Sequence, residues 1–185
     1  MSSPTTRPVP VSAVLLPLAV ALVALAGSLW LSLGMGLKAC PLCFYQRTFV
    51  MGVVALFLIG VRTGERHRGA LNLLALPLVV AALAVAVFHV YLELTAKLEC
   101  PAGVMGIGTA PQQSLAVLAL LLIVVAVGIV RSQWGEPVAL SVVGAVVLGL
   151  LLAWAAVASA PPMPPSPTRA YDTPLDGCRP PFYVL

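Results

Sequence analysis

The chain has few charged residues. Of its 185 residues, ten are lysine or arginine and six are aspartate or glutamate, so charged side chains make up 9% and hydrophobic ones 61%. An average soluble domain carries roughly 25% charged residues. The composition therefore excludes an ordinary soluble domain and indicates a protein that is surrounded largely by lipid.

Concentrated positive charge is also lacking. The formal net charge is +4, but the densest basic segment is Arg62–Arg68, and no aromatic residue interleaves with it. A basic loop between two apolar segments is a membrane-topology signal rather than a nucleic-acid-binding surface. The sequence has no phosphate-binding glycine loop, catalytic triad or internal repeat, so we expect no nucleic-acid or nucleotide partner.

Long apolar stretches account for most of the chain. A bilayer core about 30 Å thick requires roughly 20 helical residues to cross, and lipid forces a spanning backbone to be helical. We therefore predict an all-α membrane protein, an antiparallel four-helix transmembrane bundle plus a fifth transmembrane helix, over residues 1–160. The predicted spans are about 11–34, 44–61, 71–94, 114–130 and 138–158, followed by a proline-rich tail over 161–185.

The first stretch shares one feature with a secretory signal. Ala24-Leu-Ala26 followed by glycine is a small-residue pattern that a signal peptidase can cleave. Because the apolar run continues to Leu33 and is long enough to span, we expect it to be a retained transmembrane helix.

The arginines and the cysteines predict the same orientation. Three arginines in Arg62–Arg68 place that loop on the cytoplasmic side. The turn 35–43, the loop 95–113 and the tail then lie on the extracytoplasmic side of the cell inner (plasma) membrane. All four cysteines fall on that side, where disulfides persist: Cys40, Cys43, Cys100 and Cys178.

The segment Cys40-Pro-Leu-Cys43 directly precedes the second span. A thiol at the start of a helix is stabilised as a thiolate by unpaired N–H groups and the helix dipole. Arg47 follows Cys43 by one turn on the same face, and an arginine just inside a membrane indicates function. Its charge can stabilise a nearby anion, and the Gln46 amide can hydrogen-bond beside it.

Three plainer interpretations of this segment stay open. A C-x-x-C pair can be half of a zinc site, but a second such pair is absent, His67 is assigned to the inner side and His89 lies within span three. We therefore predict no metal site. A purely structural disulfide between Cys40 and Cys43 would restrain few residues, and Arg47 is also compatible with an interface anchor.

The pattern Cys40-Pro-Leu-Cys43-x-Tyr-Gln46-Arg47, placed between the first two spans, resembles the signature of the DsbB family of membrane disulfide-forming oxidases. The resemblance covers about residues 10–135. It implies a bound quinone, ubiquinone or menaquinone, and a DsbA-like thioredoxin-fold partner on the outer side. It also implies that Cys43 interacts with the quinone, that Cys40 exchanges with a second cysteine pair, and that Arg47 binds and polarises the quinone.

The resemblance extends loosely to His89, near the outer end of span three with Glu93 one turn later. It implies that a residue at about this position lies beside the quinone and helps to bind it. A histidine inside a span is also compatible with a plain hydrogen bond to a neighbouring helix.

The second cysteine pair departs from the family pattern, in which both cysteines lie in the loop after span three. Here that loop contains only Cys100, and Cys178 lies in the tail beyond two further spans. The fifth span returns the chain to the outer side, and a proline-rich spacer extends roughly 3.1 Å per residue. The resemblance thus implies a Cys100–Cys178 relay disulfide, with a structural staple or two unpaired thiols as alternatives.

These observations predict a thiol:quinone oxidoreductase. It would reoxidise a DsbA-like partner, pass the electrons to a quinone and support disulfide formation in exported proteins. Two other functions stay open: a non-catalytic membrane scaffold with structural disulfides, and a conduit that carries reductant outward. The conduit would need cysteines that are accessible from the inner side, whereas all four are predicted outside.

Overall fold

The computed structural model describes residues 11–63, 68–131, 138–162, 164–167 and 169–182. Its long helices are α1 (Ser12–Leu33), α2 (Pro41–Thr63), α3 (Arg68–Leu94), α4 (Ala110–Arg131) and α5 (Val138–Ala158), with a 3-10 turn at Val104–Gly106. The described residues form isolated β-bridges but no strand. All five helices are long and apolar enough to cross a membrane. The prediction of an all-α, multi-pass membrane protein is confirmed.

Three helices begin earlier than the apolar stretches suggested. Helix α2 begins at Pro41 rather than at residue 44, α3 at Arg68 rather than at 71, and α4 at Ala110 rather than at 114. The added residues of α4 include Gln113, whose side chain hydrogen-bonds to the backbone of Val104 and Ile107.

Helices α1 to α4 form the bundle. Helix α1 packs against α2 and α4, and α3 packs against the same two helices from the other side. Fully buried side chains from each helix meet in the centre, among them Val14, Phe57, Val79 and Leu121. Because lipid is as apolar as these side chains, the bundle is held by close packing rather than by exclusion of water.

Helix α5 lies outside the bundle and packs against α3. A Cβ atom at Gly149 would stand 2.6 Å from the Pro77 carbonyl oxygen, so only glycine permits this approach of the two backbones. Pro77 lies inside α3 and removes one helical N–H donor. The contact directs the C-terminal end of α5, and hence the tail, to the end of the bundle that carries the cysteines.

The tail is held more firmly than a loosely docked proline-rich spacer would be. The Lys38 N–H donates to the Asp176 carbonyl at 2.6 Å, and the Lys38 ammonium lies 2.8 Å from the Asp176 carboxylate. Glu99 and Arg179 exchange two backbone hydrogen bonds. The tail therefore adds backbone pairing to two loops that belong to the bundle.

Part of the topology prediction lies outside the described residues. Residues 64–67, which include His67 and one of the three arginines of the basic loop, belong to that part of the chain. The end of the tail, 183–185, does as well.

Candidate active site

The C-x-x-C segment forms the start of α2. The Cys40 carbonyl accepts a hydrogen bond from the Phe44 N–H at 3.0 Å, which makes Cys40 the N-cap. Its Sγ accepts from the Cys43 N–H at 3.4 Å, in the manner of an N-cap side chain bonded to the third helical residue. Pro41 occupies the first helical position, where its missing N–H costs nothing. With two residues between the cysteines, Cys43 stands at the third helical position, where its N–H can bond to the side chain of the N-cap residue Cys40.

Cys40 and Cys43 are thiols, with their Sγ atoms 3.2 Å apart and joined by a hydrogen bond. This bond is the largest influence that lowers the pKa of Cys40, to about 4, with burial opposing it and His89 adding to it. A thiolate rather than a thiol is the nucleophile in disulfide exchange. The lowered pKa therefore favours the thiolate form of Cys40.

His89 brings the two cysteine pairs together. Its side chain is fully buried in α3. The ring Nε2 lies 3.7 Å from Cys40 Sγ and 3.5 Å from Cys100 Sγ, and Nδ1 lies 3.9 Å from Cys43 Sγ. A single imidazole thus contacts sulfur atoms from α2 and from the loop after α3.

Cys100 and Cys178 form a disulfide across a sequence separation of 78 residues. The pairing that the resemblance implied is confirmed, whereas its role as a relay stays a prediction. Glu99 and Arg179, the neighbours of the two cysteines, form an antiparallel bridge, and their side chains form an ion pair at 3.0 Å. Cys100 is buried, and Cys178 is partly exposed.

A cavity of about 310 Å³ opens on the other side of Cys43, between α1, α2 and α4. Its walls are mostly apolar, and its polar lining comes from a few side chains. These are Ser28, Cys43, Gln46, Arg47, Gln113 and Ser114.

Arg47 is fixed beside this cavity by α1. Its Nε donates to Ser28 Oγ at 3.0 Å, and its Nη2 donates to the Ser28 carbonyl at 2.8 Å and to Ser32 Oγ at 2.7 Å. Arg47 makes no ion pair within the described ranges. Its positive charge is therefore held in place without a carboxylate to neutralise it.

Gln46 presents an unused donor at the same cavity. Its Oε1 accepts a hydrogen bond from Ser114 Oγ. Its Nε2 is buried and has no partner among the residues that the structure describes. A buried donor without a partner is costly, so an acceptor atom bound in the cavity would stabilise it. An apolar cleft with one free amide donor and one fixed cation fits a ring that carries carbonyl oxygens.

Comparison with known proteins agrees with this geometry. The family model of the disulfide bond formation protein DsbB matches residues 10–116, which include the C-x-x-C turn, Arg47, His89 and Cys100. The chain belongs to the DsbB family. The resemblance found in the sequence motif is thereby confirmed.

A curated relative, "Disulfide bond formation protein B 2" of Burkholderia lata, is 36% identical to this chain over 75 residues. The aligned part covers 40% of this chain and 44% of the relative, so the chain spans less than half of the length of that protein. No solved structure matches the chain. Helix α5 and Cys178 lie beyond the residues that the DsbB model matches.

The structure divides the predicted site residues into two groups. Cys43, Gln46 and Arg47 line the cavity. Cys40, Cys100 and Cys178 gather around His89, which does not line it. The prediction that His89 contacts a quinone therefore stays a prediction, and its described neighbours are sulfurs.

Sequence analysis missed the residues that position the polar groups of the cavity. Ser28 and Ser32 hold Arg47, and Ser114 holds Gln46. The available signal was weak: two serines one turn apart in an otherwise apolar helix. Only the packing of α1 and α4 against α2 shows that they face the arginine and the glutamine.

Proposed function

We propose that this DsbB-family chain is a thiol:quinone oxidoreductase of the cell inner membrane, with its cysteines on the extracytoplasmic side. Its electron donor would be a DsbA-like thioredoxin-fold dithiol, and its electron acceptor ubiquinone or menaquinone. One observation carries the proposal. The Cys100–Cys178 disulfide and the Cys40–Cys43 dithiol both lie against His89. Cys43 also lines the cavity beside Arg47, whose charge no carboxylate of the described residues neutralises.

The first part of the reaction is disulfide exchange with the partner. A thiolate of the reduced partner attacks the Cys100–Cys178 disulfide at Cys178, the more exposed of the two sulfurs, and releases Cys100 as a thiolate. The second partner thiolate then attacks the mixed disulfide, which leaves the partner oxidised and both chain cysteines reduced. Two electrons and two protons have entered this chain.

The second part transfers these electrons between the two pairs. The Cys178 thiolate attacks Cys40 of an oxidised Cys40–Cys43 pair, forms a Cys40–Cys178 bond and releases Cys43 as a thiolate. Cys100 then attacks Cys178, which re-forms the Cys100–Cys178 disulfide and leaves Cys40 and Cys43 as dithiol. The short distance supports this step, since the Sγ atoms of Cys40 and Cys178 lie within 4.8 Å of each other. The structure has the two pairs in the state that this step produces, with Cys100–Cys178 as a disulfide and Cys40 and Cys43 as a dithiol.

The cavity residues would hold the acceptor. A bound quinone supplies a two-electron, two-proton acceptor. Gln46 Nε2 would donate a hydrogen bond to one of its oxygens, and Arg47 would stabilise the negative charge that develops there. The mostly apolar walls would lower the local dielectric constant around a bound ring, which would strengthen both interactions.

The direction of electron flow follows from reduction potentials. The disulfide/dithiol couple of a DsbA-type protein is strongly oxidising, with a reduction potential of about −120 mV, so its dithiol can be reoxidised only by a couple of still higher potential. A quinone satisfies that condition and is soluble in the membrane. The proposal therefore assigns net oxidation, not delivery of reductant, to this chain.

The test is stopped-flow reoxidation of a reduced DsbA-type partner by the purified chain with a ubiquinone or menaquinone analogue. Wild type is compared with Cys43→Ser and Cys178→Ser, and Thr48→Ala, on the exposed face of α2, is the control variant. We expect wild type and the control to turn over and both cysteine variants to lose turnover.

The other outcomes point to different functions. If only Cys43→Ser is inactive, the tail disulfide is structural and the partner attacks Cys40–Cys43 directly. If wild type shows no quinone-dependent turnover, the proposal is wrong, and a membrane scaffold or an outward reductant conduit takes its place.

A further inference from the structure

The sulfur cluster around His89 has the donor set of a metal site. One sulfur from Cys40, one from Cys178 and one ring nitrogen of His89 lie within 4.8 Å of one another. In the sequence, His89 lies within span three and a second C-x-x-C is absent, so no metal site was predicted. In the fold, α3 places His89 beside cysteines from two other segments, so a metal site becomes possible.

The distances agree with tetrahedral coordination of a thiophilic ion. Zinc lies about 2.3 Å from thiolate sulfur and about 2.0–2.1 Å from imidazole nitrogen. Tetrahedral angles then separate a sulfur and a nitrogen ligand by about 3.5 Å. The Nε2 atom of His89 lies 3.5 Å from Cys100 Sγ and 3.7 Å from Cys40 Sγ. The sulfurs therefore already stand near the corners that an ion would require.

The redox state decides whether enough ligands are present. In the structure Cys178 is bonded to Cys100, and a disulfide sulfur is not a thiolate ligand. When a dithiol reduces this bridge, Cys40, Cys100 and Cys178 all become available beside His89. The Cys100 and Cys178 sulfurs then separate by side-chain rotation to complete a site with three sulfurs and one nitrogen.

We propose that the fully reduced chain binds one thiophilic d10 cation, of which Zn²⁺ is the representative, through Cys40, His89, Cys178 and Cys100. Binding displaces the thiol protons to solvent and changes no oxidation state. The opening of the bridge takes two electrons and two protons from a dithiol, which becomes a disulfide. Reoxidation of the cysteines by a disulfide, which accepts the two electrons and becomes a dithiol, removes the ligands and releases the ion.

An entry route for the ion is present. A second cavity, of about 350 Å³, is lined by Cys40 and Cys178 together with prolines of the tail. It reaches the sulfur cluster without passing through the core of the bundle. The bound ion would occupy the thiolates that the proposed relay needs, so it would inhibit turnover. This inhibition, unlike the binding itself, depends on the proposed function.

The experiment is a titration of the detergent-solubilised full chain with Co²⁺, after reduction by a phosphine that does not bind the ion. Tetrahedral cobalt with thiolate ligands gives intense visible absorption, and competition with Zn²⁺ reports the affinity for zinc. We expect one ion per reduced chain and no absorption from the chain with both disulfides closed. Cys178→Ser and His89→Ala should each weaken binding by at least about tenfold.

Two further variants keep the result interpretable. Glu93→Gln removes a carboxylate near the site without removing a sulfur or nitrogen ligand, and it should bind cobalt as wild type does. His89→Cys restores a soft ligand and should recover the absorption if His89→Ala has lost it through coordination rather than through misfolding.

The outcomes separate this inference from the proposed function. Absence of binding by the reduced chain, or full binding by both Cys178→Ser and His89→Ala, would overturn the inference even if quinone-dependent turnover is found. If the ion binds as expected but the chain shows no quinone-dependent turnover, the metal site is supported and the proposed oxidase function is wrong.

Discussion

The two cysteine pairs are built in opposite ways. Cys40 and Cys43 form one turn at the start of α2, where the cap, the proline and the second cysteine lie within four successive residues. Cys100 and Cys178 are 78 residues apart and meet only because α5 returns the tail to a loop of the bundle. The first pair owes its chemistry to local helix geometry, and the second owes its position to the whole fold. Changes to local geometry should therefore affect one pair, and changes to tail docking the other.

The largest expected effect concerns the pH dependence of Cys40, in a chain with Cys100→Ser and Cys178→Ser. Because its pKa is lowered to about 4, the Cys40 thiolate is present above that pH and is lost only as the pH falls through it. Alkylation of Cys40 by iodoacetamide should therefore stay nearly constant from about pH 8 to about pH 6. Mass spectrometry of the alkylated peptide measures this rate.

The matched comparison is Cys43→Ala in the same background. It removes the hydrogen bond that lowers the Cys40 pKa most. The alkylation rate should therefore fall as the pH is lowered, by up to about tenfold per pH unit. An equally steep fall in the chain that keeps Cys43 would show that the hydrogen bond with Cys43 does not activate Cys40.

The next effect concerns Arg47→Leu, which removes the charge beside the cavity. Hydrogen bonds to charged groups contribute roughly 1.5–3 kcal/mol, so we expect quinone-dependent turnover to fall about 10- to 100-fold, mainly through KM for the quinone. Exchange between the partner and the Cys100–Cys178 disulfide, measured without quinone, should not change.

Arg47→Lys sharpens the same test. Lysine keeps the charge but not the planar donors that reach Ser28 and Ser32, so its activity should lie between those of wild type and Arg47→Leu. If Arg47→Leu alters partner exchange as much as quinone reduction, the separation of the two regions is wrong.

A smaller effect is expected for Gly177→Ala, which acts on the tail alone. The new Cβ would stand 2.9 Å from the Lys38 carbonyl oxygen, and relief of this contact requires the two backbones to separate. Reduction of Cys100–Cys178 by a small thiol should become roughly fivefold faster, as followed by gel-shift labelling of the released thiols.

Gly144→Ala is the control for that variant. Gly144 lies in α5, and a Cβ there would have nothing within 4 Å among the described residues, so the rate should match wild type. An unchanged rate in Gly177→Ala would mean that the tail does not need the close approach at Lys38.

The smallest effect is expected for Asp176→Asn. The Asp176 side chain is about half exposed, and the neighbouring Lys38 ammonium lowers the pKa of its carboxyl group. Exposed ion pairs contribute little, so limited proteolysis of the tail should accelerate less than about threefold. In wild type the ion pair is lost only as the pH falls through the lowered pKa, and the proteolysis rate should be otherwise insensitive to pH. A large acceleration would show that this pair, rather than backbone pairing, docks the tail.

The membrane fold and the first pair were predictable because their signals are local. Spans follow from runs of apolar residues, and the position of the C-x-x-C segment follows from the start of such a run. The early start of α4 and the firm docking of the tail were not predictable. The first accompanies hydrogen bonds between Gln113 and the loop before α4, and the second depends on pairing of Lys38 with Asp176, far away in the sequence.

The sequence by itself determined five apolar helices and the placement of an arginine one turn after Cys43, since each depends on residues within a few positions of one another. The tertiary structure alone decided that His89 faces sulfurs, that Ser28 and Ser32 hold Arg47, and that Gly177 lets Cys178 reach Cys100. The physical reason is that an apolar helix face has no preferred partner in lipid. Which polar atoms meet is settled only when close packing fixes how the helices lie against one another.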